Sequence, residues 1–232
     1  MTLSAFKNML VVGSLLAGGV FSHALANGIS NLPSLGDGSG SDLSVQDEKR
    51  LGELIMRDYR AYGGVANDPA INAYLNRLGG RIVQAAGESP SNFEFFLVAN
   101  SSINAFALPG GYIGVHTGLL ASSRTEGELA SVLAHEVGHV TQRHIARMYG
   151  QQKNTSLVAA AAMIAGLLVA GTNPQAAQGI LAASAGYQID RQLSFSRDAE
   201  READRVGFTT LVRAGYEPEN MVTFFNRLQQ GT

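Results

Sequence analysis

The chain has 232 residues, 45% of them hydrophobic, with 17 Lys plus Arg against 19 Asp plus Glu and a net charge of −2. This is one domain's worth with accessory segments and enough apolar surface for a core, which excludes global disorder. The balanced charge argues against a nucleic-acid binder, which needs a basic face, and the absence of cysteine excludes disulfides, thiol catalysis and thiolate metal sites, leaving imidazole and carboxylate as the available metal ligands.

Lys7 is the only charged side chain ahead of a run of small and apolar residues from 9 to 20, and His23-Ala24-Leu25-Ala26 places small residues where a signal peptidase reads them. The pattern predicts a secretory signal over residues 1–26, cleaved after Ala26; a single N-terminal membrane anchor is the alternative. Cleavage leaves 16 basic against 19 acidic side chains, a net charge of −3, and no cysteine at the new terminus to carry a lipid. The short basic region and A-x-A site look bacterial and point to a Gram-negative periplasm. Residues 27–43, rich in Gly, Ser and Asn, predict a flexible linker, with a folded domain over 44–232.

Ser44 can cap a helix to about residue 61 that places Leu51, Leu54, Ile55 and Tyr59 on one side. Asp68-Pro69, a cap followed by proline in the first turn, opens a second helix carrying Ile71, Tyr74, Leu75 and Leu78. It either ends near Gly79-Gly80 or continues to about residue 86. Residues 92–98 and 103–108 read as strands, and Pro109-Gly110-Gly111 turns the second into another over 112–115. Pro109 cannot donate to a ladder, so this region belongs at a sheet edge or its turn. Thr125-Glu126-Gly127-Glu128 is a capping box that launches a long helix through about Met148. Residues 157–170 are 14 apolar or small residues, short of the roughly 20 that a spanning helix needs. With the similar stretch 176–187 they read as an Ala-rich helical hairpin packed on the domain, or as a flap over a cleft. Helices over about 196–214, stopped by Gly215, and about 218–228 complete the chain.

The chemistry is concentrated in His135-Glu136-Val137-Gly138-His139. Histidines at i, i+4 project from one helix face about 6 Å apart at Cβ, a separation at which both can bind one zinc ion. Glu136 stands at the edge of that face, where it can act as a base without becoming a ligand. Zinc lowers the pKa of water from 15.7 towards about 7, and Glu136 can take the released proton and pass it to a leaving amine. With 5 His in the chain, such a motif arises by chance in roughly 0.5% of sequences of this composition, so coincidence is a poor explanation. The bland alternative is two surface histidines on an ordinary helix. A third ligand is required. His23 leaves with the signal, His144 is five residues past His139 and turned off the metal face, and His116 lies by the hairpin. Glu200, in Ser196-Arg197-Asp198-Ala199-Glu200-Arg201-Glu202-Ala203-Asp204, is the best candidate. Asp204, four residues on, can then support a zinc histidine. The same acidic residues also fit a solvated face balanced by Arg197, Arg201 and Arg205.

The H-E-V-G-H motif, the segment Asn104-Ala105-Phe106-Ala107-Leu108-Pro109-Gly110-Gly111 and the E-R-E-A-D run together resemble the zinc metallopeptidase family of the CAAX prenyl protease and HtpX, and in particular its periplasmic branch. The likeness covers nearly everything from about Ser44 onward. It implies an α+β, zincin-like (gluzincin) domain, mostly helical, with a small sheet bearing an edge strand. It assigns one zinc ion to His135, His139 and Glu200, catalysis to Glu136, and support of a zinc histidine, His135, to Asp204. It further implies that Asn104, Ala105, Phe106 and Ala107 hold a substrate backbone by strand addition; the pattern alone fits an ordinary sheet edge equally well. The implied activity is endoproteolysis of unfolded or misassembled polypeptides, outer-membrane protein intermediates included. The assembly machinery of that membrane is the implied partner, peripheral membrane contact is allowed, and nucleic acid is not a partner. Relatives of that branch continue into a repeat domain and carry a downstream histidine, and neither follows within this sequence. The rival reading is a chaperone-like protein with a structural zinc, although such a site usually closes with four protein ligands. Arg197, His116 and His144 are the candidates for stabilising an oxyanion.

Overall fold

The computed structural model of the protein describes residues 43–150, 157–170 and 197–230. The expected signal, the linker apart from Leu43, and the stretch 176–187 lie outside them. Within the described residues the fold is mostly helical, with one small sheet.

Helix α1, Val45–Ala61, starts where Ser44 accepts a hydrogen bond from the Asp47 N–H, and it buries Leu51, Ile55, Met56 and Tyr59. Helix α2, Pro69–Ala85, is capped by Asp68, whose carboxylate accepts from the Ala70 and Ile71 N–H groups. It runs through Gly79-Gly80 without a break. The glycine there serves packing, since a Cβ on Gly79 would stand 2.3 Å from the Phe95 ring.

The sheet has the order β1–β3–β2, built from β1, Glu94–Val98, β2, Ala105–Leu108, and β3, Tyr112–His116. The Pro-Gly-Gly turn makes β2 and β3 an antiparallel hairpin, with Ala107 opposite Ile113. Gly110 and Gly111 both take positive φ there, 76° and 87°, a conformation that costs glycine little. Strand β1 pairs with β3 in parallel.

The two edges of this sheet differ. Two asparagines of α2 occupy the outer edge of β1. Asn76 donates to the Phe95 carbonyl and accepts from its N–H, and Asn72 accepts from the Leu97 N–H. The Leu97 carbonyl takes the Ala66 N–H at 2.8 Å. No such cover lies on β2 among the described residues. The His116 N–H bonds the Asn104 carbonyl, so by antiparallel alternation Phe106 and Leu108 face β3, while the backbone groups of Ala105 and Ala107 face outward.

Side chains of the sheet divide the core in two. Phe96, Val98, Phe106 and Leu108 pack with α1 and with the helix Leu157–Ala170. Phe95, Leu97, Ala105, Ile113 and Val115 pack with α2 and with the helix Glu126–Thr141. The helix Leu157–Ala170 buries Ala160, Ala161, Ile164, Ala165 and Val169, so this first arm of the expected hairpin packs on the domain; the second arm lies outside the described residues. No helix of the described residues is long and apolar enough to cross a membrane.

A short α3, Thr117–Ser122, leads from the sheet into α4, Glu126–Thr141. Helix α4 is buried on all sides from Gly127 to His139. Its capping box departs from the expected pattern in one respect. Thr125 accepts from the Glu128 N–H, but the Glu128 carboxylate reaches back to the Arg124 N–H. A larger departure is its end. The sequence predicts one helix to about Met148, whereas α4 stops at Thr141 and a new helix, α5, runs over His144–Gly150. Arg143 breaks the helix with φ 54°. It is held there by Glu48, 3.0 Å from its Nε, and by the Leu43 carbonyl. Helix α6, Leu157–Ala170, follows, and helices α7, Arg197–Arg213, and α8, Glu219–Gln230, close the fold, with Gly215 at φ 84° between them.

Candidate metal centre

Helix α7 lies directly on α4 because small residues stand at the crossing. A Cβ on Gly207 would come within 2.9 Å of the His135 backbone, and one on Gly138 within 3.0 Å of the Ala203 carbonyl. That approach carries the acidic face of α7 onto the histidine face of α4. His135, His139 and Glu200 each then offer a ligand atom within 4.8 Å of the others. The Nε2 atoms of His135 and His139 are 2.9 Å apart. The Glu200 oxygens lie 3.6 Å from His135 Nε2 and 4.0 Å from His139 Nε2. Both rings are buried.

Behind the pair, each outer nitrogen has a neighbour. Asp204 Oδ1 lies 3.0 Å from His135 Nδ1. His139 Nδ1 meets His144 Nδ1 at 2.9 Å, and His144 Nε2 lies 3.2 Å from Glu202 Oε2. In a continuous helix a residue five positions on would be turned away from His139. The break at Arg143 brings His144 back behind the ring, between His139 and Glu202. His144 and Glu202 were therefore invisible to spacing arguments, which consider only the i, i+4 pair Glu200 and Asp204.

The donor set fits a cation. A carboxylate can only accept, so Asp204 favours the proton on His135 Nδ1, which leaves the Nε2 lone pair facing Glu200. Burial pushes Glu136 up to about 7, with the Glu200 charge adding to that and His135 and the Ala107 N–H opposing it. Burial also raises Glu200. Burial alone would lower His135, but Asp204, Glu136 and Glu200 outweigh it and raise its pKa. These three groups all lean toward binding protons, as expected where a positive charge belongs. His139 is driven the other way, well below the usual range, by burial and by the neighbouring His135 and His144. It is a neutral imidazole, the form that ligates metal.

Glu136 is fully buried, and neither of its carboxylate oxygens has a hydrogen-bond partner of normal geometry among the described residues. The Ala107 N–H is near enough to temper its pKa only, which places the outward-facing backbone of β2 beside this carboxylate. Of the expected edge residues, Ala105, Phe106 and Ala107 are buried by side chain, Asn104 partly so with its Oδ1 unpaired. The Phe106 ring packs over Gly114. His116 stands against the Phe106 ring and takes Ser102 Oγ at 2.7 Å. Arg197 is exposed at the start of α7.

Comparison with known proteins agrees with the centre's chemistry. The profile of peptidase family M48 matches residues 69–231. A β-barrel assembly-enhancing protease of Escherichia coli O157:H7 is 39% identical over 90% of this chain and 43% of its own length. The metalloprotease LoiP of Escherichia coli K12 is 32% identical over 80% of this chain and 71% of its own. The mitochondrial metalloendopeptidase OMA1 of Schizosaccharomyces pombe is 30% identical over 94% and 62%. The chain spans less than half the length of the β-barrel assembly-enhancing proteases it matches.

Proposed function

The chain belongs to peptidase family M48, and on that premise we propose that it is a zinc metalloendopeptidase of the bacterial periplasm that cleaves unfolded or misassembled polypeptides. The observation that carries this reading is the convergence of His135, His139 and Glu200 beside a buried Glu136 whose carboxylate has no side-chain donor among the described residues. In it, residues 1–26 are a signal peptide, 27–43 a linker, and 44–232 a gluzincin-type domain. His135, His139 and Glu200 hold the ion, with Asp204 fixing His135. Zinc, when bound, supplies Lewis acidity that acidifies water and polarises the scissile carbonyl. Glu136 takes the proton of the attacking water and delivers it to the leaving amine nitrogen. A structural zinc would be served by four protein ligands; the described residues bring together three.

The substrate strand adds to β2. The other sheet edge is taken by Asn72 and Asn76, so β2 is the edge left to receive it. Ala105 and Ala107 present backbone donors and acceptors there, next to Glu136. Recognition through the main chain tolerates many sequences, which suits unfolded clients. Outer-membrane protein intermediates and their assembly machinery are the proposed client and partner, supported by the names of the β-barrel assembly-enhancing relatives.

The test is cleavage of unfolded casein by the purified chain with its metal counted. A chelator should abolish cleavage, and one equivalent of zinc per chain should restore it. Cleavage that survives full metal removal would sink the proposal. Ala107→Pro removes one outward N–H from the edge and should raise KM at least several-fold with the metal content unchanged.

A further inference from the structure

We propose that His144 and Glu202 form a one-way hydrogen-bond relay behind His139 that fixes which of its nitrogens faces the metal, making both positioning residues of the centre. The inference rests on the reading of His135, His139 and Glu200 as metal ligands, and it concerns residues to which that reading gives no role.

The direction follows from what each atom can do. Two donors converge on Glu202 Oε2, Arg147 Nη2 at 2.7 Å and His144 Nε2 at 3.2 Å, and a carboxylate only accepts. Arg147 keeps that carboxylate charged. His144 must therefore carry its proton on Nε2, and as a neutral ring it presents a lone pair at Nδ1. That lone pair meets His139 Nδ1 at 2.9 Å, so His139 must hold its proton on Nδ1. Its remaining lone pair, on Nε2, then points into the cluster with His135 Nε2 and Glu200. Only one set of tautomers satisfies all three contacts, and it is the set that leaves His139 ready to ligate.

The two halves of the centre are thus supported differently. His135 is backed directly by an acid, Asp204. His139 is backed by an acid at one remove, through an imidazole. The intervening ring carries the support because Glu202, on α7, bonds His144, and α5 starts at His144 itself. The helix break at Arg143, anchored to Glu48 and Leu43, sets the ring at that point. A chain running on as one helix would carry residue 144 away from His139 and leave its Nδ1 without this acceptor.

The experiment measures zinc affinity of the full chain by chelator competition and the visible spectrum of its cobalt form. His144→Leu removes the acceptor and should weaken zinc binding about 10–100-fold, with a changed cobalt spectrum. His144→Asn sets an amide oxygen near the position of Nδ1 and should recover most of that loss. Glu202→Gln should weaken binding less than His144→Leu, and the double variant His144→Leu/Glu202→Gln should be no weaker than His144→Leu, because the two act in series. Wild-type affinity and spectrum in His144→Leu, or losses that add in full, would overturn the relay. If circular dichroism shows His144→Leu unfolded, Glu202→Gln decides, and unchanged affinity there overturns it equally. A wild-type chain that binds neither metal refutes the ligand assignment instead, which separates the two failures.

Discussion

Glu126 and Glu128 at the start of α4 and Glu136 near its end are the same side chain on the same helix in opposite surroundings. Glu126 takes Arg81 at 2.5 Å, the Tyr216 hydroxyl at 2.6 Å and the Tyr74 hydroxyl at 3.3 Å. Glu128 is gripped by both terminal nitrogens of Arg227, at 2.5 and 2.6 Å, and by the Arg124 N–H. Hydrogen bonding from Tyr216 and Arg81 in one case, and from Arg227 in the other, holds both carboxyls below their usual range. Glu136 has no such side-chain donors among the described residues, and burial pushes it up to about 7. A glutamate saturated with donors is a clamp that ties α2, α8 and the turn after α7 to the helix start. One buried without them is left with an appetite for a proton.

Exchanging the members of this comparison one at a time tests it. Glu136→Gln should lower turnover of an unfolded substrate about 10²–10⁴-fold while bound zinc, measured by elemental analysis, stays at the wild-type level. Retained turnover would break the contrast at its centre. Glu128→Ala should do the reverse. Arg227 loses its partner, and urea unfolding should show a loss of about 3 kcal/mol, with kcat of the folded fraction unchanged.

Acidity sharpens the contrast through its sign. The folded pKa of Glu136 is raised, so its burial costs nothing below the ordinary carboxylate range and costs progressively more as pH climbs towards 7. The metal-free Glu136→Gln variant should therefore gain on the metal-free wild type over that window, by at most about 3 kcal/mol. Glu126 and Glu128 have depressed pKa values. Their stabilisation is present above the ordinary range and lost as pH falls through the folded values, so the penalty of Glu128→Ala should shrink in acid. The smallest effect is expected of Tyr216→Phe, which removes one of three donors from a half-exposed carboxylate and should cost about 0.5 kcal/mol by urea unfolding.

Local rules made much of this legible. Ser44, Asp68 and Thr125 announce their helices through side chains that bond the first-turn N–H groups, and the 3.6-residue period alone puts His135 beside His139 and Glu200 beside Asp204. What local rules miss is what distant residues impose. Arginine has no liking for positive φ, and nothing near Arg143 signals a break; Glu48 and Leu43, far back in the chain, hold it there. The parallel pairing of β1 with β3 is likewise unwritten in either strand. Asn72 and Asn76 read as ordinary helix-surface residues, yet they close one sheet edge, which leaves β2 as the edge proposed to take a guest strand. Gly79-Gly80 looks like a stop, yet Gly79 is a seat for the Phe95 ring.

The crossing of α7 on α4 at Gly207 and Gly138 carries a consequence for how the protein is made. A chain synthesised from its N-terminus displays both histidines of α4 well before Glu200 has emerged, and the acidic arm arrives only when the second helix settles on the first. Until that docking the newborn polypeptide cannot bring His135, His139 and Glu200 together, so the proposed cation site is complete only once both helices are made.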